Sequence, residues 1–171
     1  MPSFMVAAGL SSAVMFSSLF AAQLAFAQEQ SLKAQLIGNW RPLSIVVTRT
    51  DGSKFAPFSD KLSGIMVLAA DGTVALVNTR AELPKLASGN RLTGTPEEYS
   101  TIMKGAHAFF GTFTVDEAAR TFTIKISGSL YPNEIGAMSI RSVTHVDKDH
   151  LRFTYPGGAG ATADANWARA Q

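Results

Sequence analysis

The stretch Gly38-Asn39-Trp40-Arg41-Pro42-Leu43-Ser44 places one large aromatic two residues after a glycine, where a run of strand formers begins. Apolar parity breaks inside it. Trp40 is even, whereas Leu43, Ile45 and Val47 are odd, and Pro42, which cannot donate to a ladder, stands between them. A bulge or bend at Pro42 reconciles the two registers, and such kinks are what strands use when they curl around a closed core.

Just upstream, Ser31-Leu32-Lys33-Ala34-Gln35-Leu36-Ile37-Gly38 reads as a short helical turn. Ser31 is its N-cap, and Gly38 stands where a glycine past the C-terminus ends it. Downstream, Asp71-Gly72 separates "GIMVLAA" (Gly64 to Ala70) from "TVALVNT" (Thr73 to Thr79), a strong hairpin signal. Both strands are apolar on both faces, which predicts that they are covered on both sides or line an apolar cavity.

Residues 80–94 form a long irregular connection, a length shared by functional lids and plain loops. One short α-helix is predicted over about residues 95–106, with Thr95 as cap, Pro96 in the first turn and Glu98 completing a capping box. Tyr99, Ile102, Met103 and Ala106 recur at helical spacing, so one face should pack on the domain. The rest reads as strand: "HAFFGTFTV", "TFTIKIS", "MSIRSVTHV", "LRFTY" and "ATADANWARA". About eight short strands with turns between them give an all-β fold, an antiparallel barrel or sandwich.

Composition bounds the function classes. Residues 4–22 carry no charge, and the run continues to Ala25-Phe26-Ala27, with small residues at the spacing signal peptidase requires. Residues 1–27 therefore read as a cleaved export signal, with an uncleaved anchor as the alternative, and residues 28–171 as one domain. The expected location is periplasmic or secreted, with no membrane span once the signal is removed. With no cysteine, the chain has no disulfide, thiolate metal site or cysteine nucleophile. The net charge of +2 comes from scattered residues, with no basic run of the kind that binds nucleic acid.

The set "GNWRPLS", "SGNRLTGTPEEY", "FFGTFTVDEAARTFT", "GSLYPNEIG" and the closing "NWAR" resembles the lipocalin-like domain family over roughly Leu36 to Arg169. That resemblance implies a closed antiparallel barrel in which Gly38 and Trp40 form the plug of one end, and Arg169 lies across the indole. Relatives often carry a His-His pair where this chain has Ile124-Lys125, and a tryptophan at Glu134.

No pair among His107, His145 and His150 has metal-site spacing, and no cofactor fingerprint is present. The candidate pocket residues are Met66, Leu68, Leu76, Tyr99, His107, Phe109, Phe113, Tyr131, Asn133 and Glu134. "LYPNEIG" can supply polar groups at a barrel mouth, or simply form a turn. The leading expectation is a barrel that binds a small apolar ligand in a cavity of a few hundred Å³. A cyclase or isomerase using His107, Tyr131 and Glu134, and a non-catalytic envelope interaction protein, are the alternatives; the oligomeric state is left open.

Overall fold

The computed structural model describes residues 30–59 and 61–170, so the export signal expected over residues 1–27 lies outside the described residues. Strands β1 (Gly38–Thr48), β2 (Lys54–Phe55), β3 (Leu62–Leu68), β4 (Thr73–Arg80), β5 (Ala106–Asp116), β6 (Thr121–Ser129), β7 (Met138–Val146), β8 (His150–Pro156) and β9 (Thr162–Arg169) form one antiparallel sheet. Its order is β2-β1-β3-β4-β5-β6-β7-β8-β9, and β1 also pairs with β9. The result is a closed eight-stranded barrel with the two-residue β2 appended to the end of β1. Closure leaves no long edge to template pairing with another chain.

The parity break in β1 is a bulge. Pro42 pairs with Trp167 and Ser44 with Asn166, so Leu43 has no partner and turns outward, half exposed. On either side of it, Trp40 and Ile45 are buried facing the core. One extra residue thus lets two apolar registers share one strand.

The inner face carries Met66, Leu68, Val74, Leu76, Phe109, Phe113, Phe122, Ile124 and Phe153, all buried. The double-sided apolarity of β3 and β4 has a different outcome from the one expected. Ile65 and Val77 on their outer faces are exposed, uncovered by any described element.

At one end, α1 (Leu32–Leu36) closes the barrel. Ser31 Oγ accepts from the Ala34 N–H, and the Glu117 carboxylate accepts from the N–H groups of Leu32 and Lys33 at 2.6 and 3.0 Å. Leu32, Leu36 and Trp40 are buried there. Trp40 Nε1–H donates to the Leu36 carbonyl at 2.8 Å, and the Arg169 guanidinium lies over the indole, 4.1 Å from the ring centre. Gly38 sits at φ +142°, and a Cβ there would run into Arg169 Nη1, so only glycine leaves the guanidinium its path.

Helix α2 (Pro96–Gly105) has the expected capping box of Thr95 and Glu98, and the Glu98 oxygen outside the box, Oε1, accepts from Ala87 N–H at 2.8 Å. Its packing corrects the expectation of a buried face. Tyr99 and Met103 are exposed, and only Gly105 of the helix is buried. The helix folds instead against its own preceding loop.

Candidate functional site

The hairpin turns at residues 69–72, 117–120 and 147–149 all lie at the end that α1 closes. The other end, the mouth, gathers the end of β1, β2, the start of β9, the end of β8 and the loop after Pro156. Strand register places Phe55, Val47, Ala163 and Tyr155 in one row across β2, β1, β9 and β8. Ala163 shares its parity with buried Ala165 and Trp167, so this row faces inward.

The row walls a cavity of about 400 Å³, completed by Arg49, Thr50 and the Gly157–Ala161 loop. The Arg49 guanidinium stands 4.1 Å from the centre of the Phe55 ring and donates to Ser53 Oγ. The walls of this cavity are β1, β2, β8 and β9, not the strands β3, β4 and β5 that carry most of the pocket residues named from the sequence. The small residues of "PGGAGATA" make the room.

One residue further around the same row is Arg141 on β7, beside Tyr155 because Ser142 pairs with Thr154. Its guanidinium stacks 3.8 Å from the centre of the Tyr155 ring and 5.7 Å from that of Phe153. Arg141 is only 7% exposed, and its Nε and Nη1 find no acceptor among the described residues. Trp167 Nε1 and Asn78 Oδ1 are also unpartnered there. These groups, with Ile45, Met66, Leu76 and Ile124, surround an inner void of about 10 Å³. That is roughly room for one water-sized group.

Burial pulls the Arg141 pKa down, and Tyr155 and Glu134 partly offset it; burial likewise pushes the Tyr155 phenol up, against Arg141. An arginine stays protonated even so, since its ordinary pKa is above about 12. A buried charge without a partner costs several kcal/mol, by order of magnitude.

Of the residues anticipated from sequence, Met66 and Leu76 line the inner void. Leu68, Phe109 and Phe113 belong to the packed core. The Tyr99 hydroxyl donates to the Arg91 carbonyl and accepts from Gly94 N–H, so it organises the loop before α2.

His107 and Glu134 do meet. His107 Nε2 lies 2.7 Å from Glu134 Oε1, and the Ser129 hydroxyl donates to the same oxygen. Ser129 Oγ in turn accepts from Tyr131 N–H at 2.9 Å. This clasp ties β5, β6 and the 3-10 turn Pro132–Glu134 together, while Tyr131 and Asn133 remain exposed. In the strand order, β5 and β6 stand across the barrel from β1 and β9, so the clasp sits on the wall opposite the mouth cavity.

On the outside, Ala75, Val77, Ala108, Phe110 and Leu130 form an open apolar groove of about 410 Å³. The Phe110 ring lies over Gly128, where a Cβ would collide with it. Among the described residues there is no cluster able to hold a metal ion, and no helix is long and apolar enough to cross a membrane.

Solved structures similar to this chain include a lipocalin-like protein from Bacteroides uniformis, at 14% identity and a TM-score of 0.44, covering 80% of this chain and 99% of that one. A de novo designed fluorescence-activating β-barrel matches at 10% identity and a TM-score of 0.43, covering 82% and 99%. A bovine odorant-binding protein mutant matches at 12% identity and a TM-score of 0.40, covering 80% and 74%. No curated protein matches the chain. The sequence model of the lipocalin-like domain matches residues 37–169, from the residue before Gly38 to Arg169, and the chain belongs to the lipocalin-like domain family.

Proposed function

We propose that this protein is an exported barrel that binds a small, largely apolar molecule through its mouth. The observation that carries the reading is the cavity of about 400 Å³ walled by Val47, Phe55, Tyr155, Ala161 and Ala163, with polar groups unpartnered among the described residues behind Tyr155. Ligand sites combine these two features: an apolar concavity of a few hundred Å³ and a few polar groups that fix orientation. Export, with cleavage after Ala27 and residence in the periplasm or outside the cell, is supported by the uncharged run over residues 4–22 and the small residues at 25 and 27.

The experiment is native mass spectrometry of the full chain expressed with its own N-terminus and recovered from the periplasm without detergent. The expected species is residues 28–171 carrying a stoichiometric small-molecule adduct, which organic extraction then releases for identification. A full-length mass would overturn export by cleavage. An adduct-free mass, together with no thermal shift on adding apolar probes, would overturn the binding reading.

A further inference from the structure

The inner void beneath the mouth raises a question that apolar binding alone does not answer: why a barrel core should hold an arginine. Arg141 stands at an inward position of β7, where Val143 and the facing Phe153 and Phe122 are apolar and buried. Replacing such a charge by an apolar side chain of similar volume is commonly neutral or stabilising, so an unpaired one is a poor way to hold a core together.

Its donors have three other polar neighbours. The Trp167 indole N–H can only donate, the Asn78 amide has both functions, and the Tyr155 hydroxyl lies at the ring that Arg141 stacks upon. Glu134, the carboxylate whose charge reaches Arg141, is already held by His107 and Ser129. A water in the inner void would satisfy hydrogen bonds there but add no charge to the partial offset that Tyr155 and Glu134 give Arg141. An oxyanion does both.

We infer that Arg141 is the head-group site for a carboxylate whose apolar body occupies the mouth cavity, with Trp167 Nε1–H as a second donor. This rests on the reading of the mouth as a ligand site and narrows it to one chemical class. The void of about 10 Å³ admits little more than one oxygen, so the head group enters from the mouth side past the edge of Tyr155, which borders both spaces. A charge-assisted hydrogen bond contributes about 1.5–3 kcal/mol, which corresponds to about 10- to 150-fold in affinity. An alcohol of the same length accepts from the guanidinium but brings no negative charge and no second acceptor oxygen, so it binds more weakly.

The test is calorimetric titration of the folded protein with octanoate and dodecanoate and with the matched primary alcohols, on the wild type and on Arg141→Met. The expected result is that each carboxylate binds the wild type at least about tenfold more tightly than its alcohol. In Arg141→Met the two should become equal. Equal affinities in the wild type would overturn the head-group site while leaving the binding reading standing, and that comparison needs no variant to fold. A carboxylate preference that survives in a folded Arg141→Met would overturn the assignment to Arg141. Failure of all four probes to bind would overturn the apolar-ligand reading and this inference with it.

Discussion

Arg169 lies 4.1 Å above the centre of the Trp40 indole and donates from Nε, Nη1 and Nη2 to the carbonyls of Lys148, Ile37 and Gln35. The last strand, the last hairpin turn, α1 and the first strand thus converge on one guanidinium. Arg169→Met keeps most of the apolar stem and removes three donors to carbonyls, so the expected loss is about 2–4 kcal/mol. Urea unfolding at neutral pH measures it; an unchanged midpoint would show that the barrel is closed by packing alone.

Gly38→Ala tests the same closure from the other side. The new Cβ meets Arg169 Nη1, and φ +142° is a backbone region that alanine strongly avoids. Strain of this kind costs about 1–3 kcal/mol. Gly38→Ala combined with Arg169→Met should recover part of the sum of the single losses, because one removes what the other collides with. Strict additivity of the two would contradict the contact.

Arg141→Met should act in the opposite direction. With no acceptor for Nε or Nη1 among the described residues, the guanidinium is expected to destabilise the ligand-free barrel, and an apolar replacement should stabilise it by about 1–4 kcal/mol. Thermal unfolding of the ligand-stripped protein measures this. A loss of stability would make the arginine a structural member of the core.

Much of the architecture is legible in the sequence because it depends on local chemistry. Asp71-Gly72 forms its turn, with Asp71 Oδ1 accepting from Thr73 N–H, and the Thr95–Glu98 box caps α2 as spacing predicts. The kink at Pro42 follows from parity alone. The site depends on register instead. In β7, Met138 and Ile140 point outward and are exposed, while Arg141 takes the inward place, the reverse of what hydrophobicity dictates. Neighbouring β6 and β8 fix that register through pairs such as Phe122 with Arg141 and Val143 with Phe153. The one signal was an arginine in phase with Val143 on an alternating strand. His107 and Glu134, grouped as candidate polar residues from the sequence, do meet, whereas the meeting of β1 with the glycine-rich loop before β9 joins residues far apart in the chain and left no local trace.

Acid should weaken the fold through its turns. Asp147 accepts from the N–H groups of Asp149 and His150 at 2.8 and 2.7 Å and pairs with His145 Nε2 at 2.9 Å. The Asp149 bond, then the contact with His145, hold its pKa well below the ordinary aspartate range. Because the folded value lies below the unfolded one, its contribution is complete above about pH 4 and is lost as pH falls further. Asp51 and Asp71, lowered chiefly by their turn hydrogen bonds to Ser53 and Thr73, and Glu98, lowered chiefly by the bond from Ala87 N–H and then by its cap bond from Thr95 N–H, act in the same sense. Melting temperature followed from pH 7 downward should fall below about pH 4. The gap between the wild type and Asp147→Asn should narrow there, whereas a gap independent of pH would exclude this linkage.

Two apolar concavities of nearly equal volume compete for a ligand, the mouth at about 400 Å³ and the outer groove at about 410 Å³. The outer groove lies open on the barrel wall, beside exposed Val77 and Phe110, where water reaches a bound molecule from one whole side. The mouth is walled by β1, β2, β8, β9 and a loop, and donors without a partner among the described residues lie behind it. Burial of apolar surface yields about 25 cal/mol per Å², so the site that covers more of the ligand holds it more tightly. Val47→Trp should therefore fill the mouth and reduce the affinity for a bound fluorescent apolar probe at least tenfold, at a stability cost of about 1–3 kcal/mol from overpacking. Ala108→Trp, which fills the outer groove, should leave probe affinity unchanged. The reverse pattern would move the site to the outer wall and away from the donors behind the mouth.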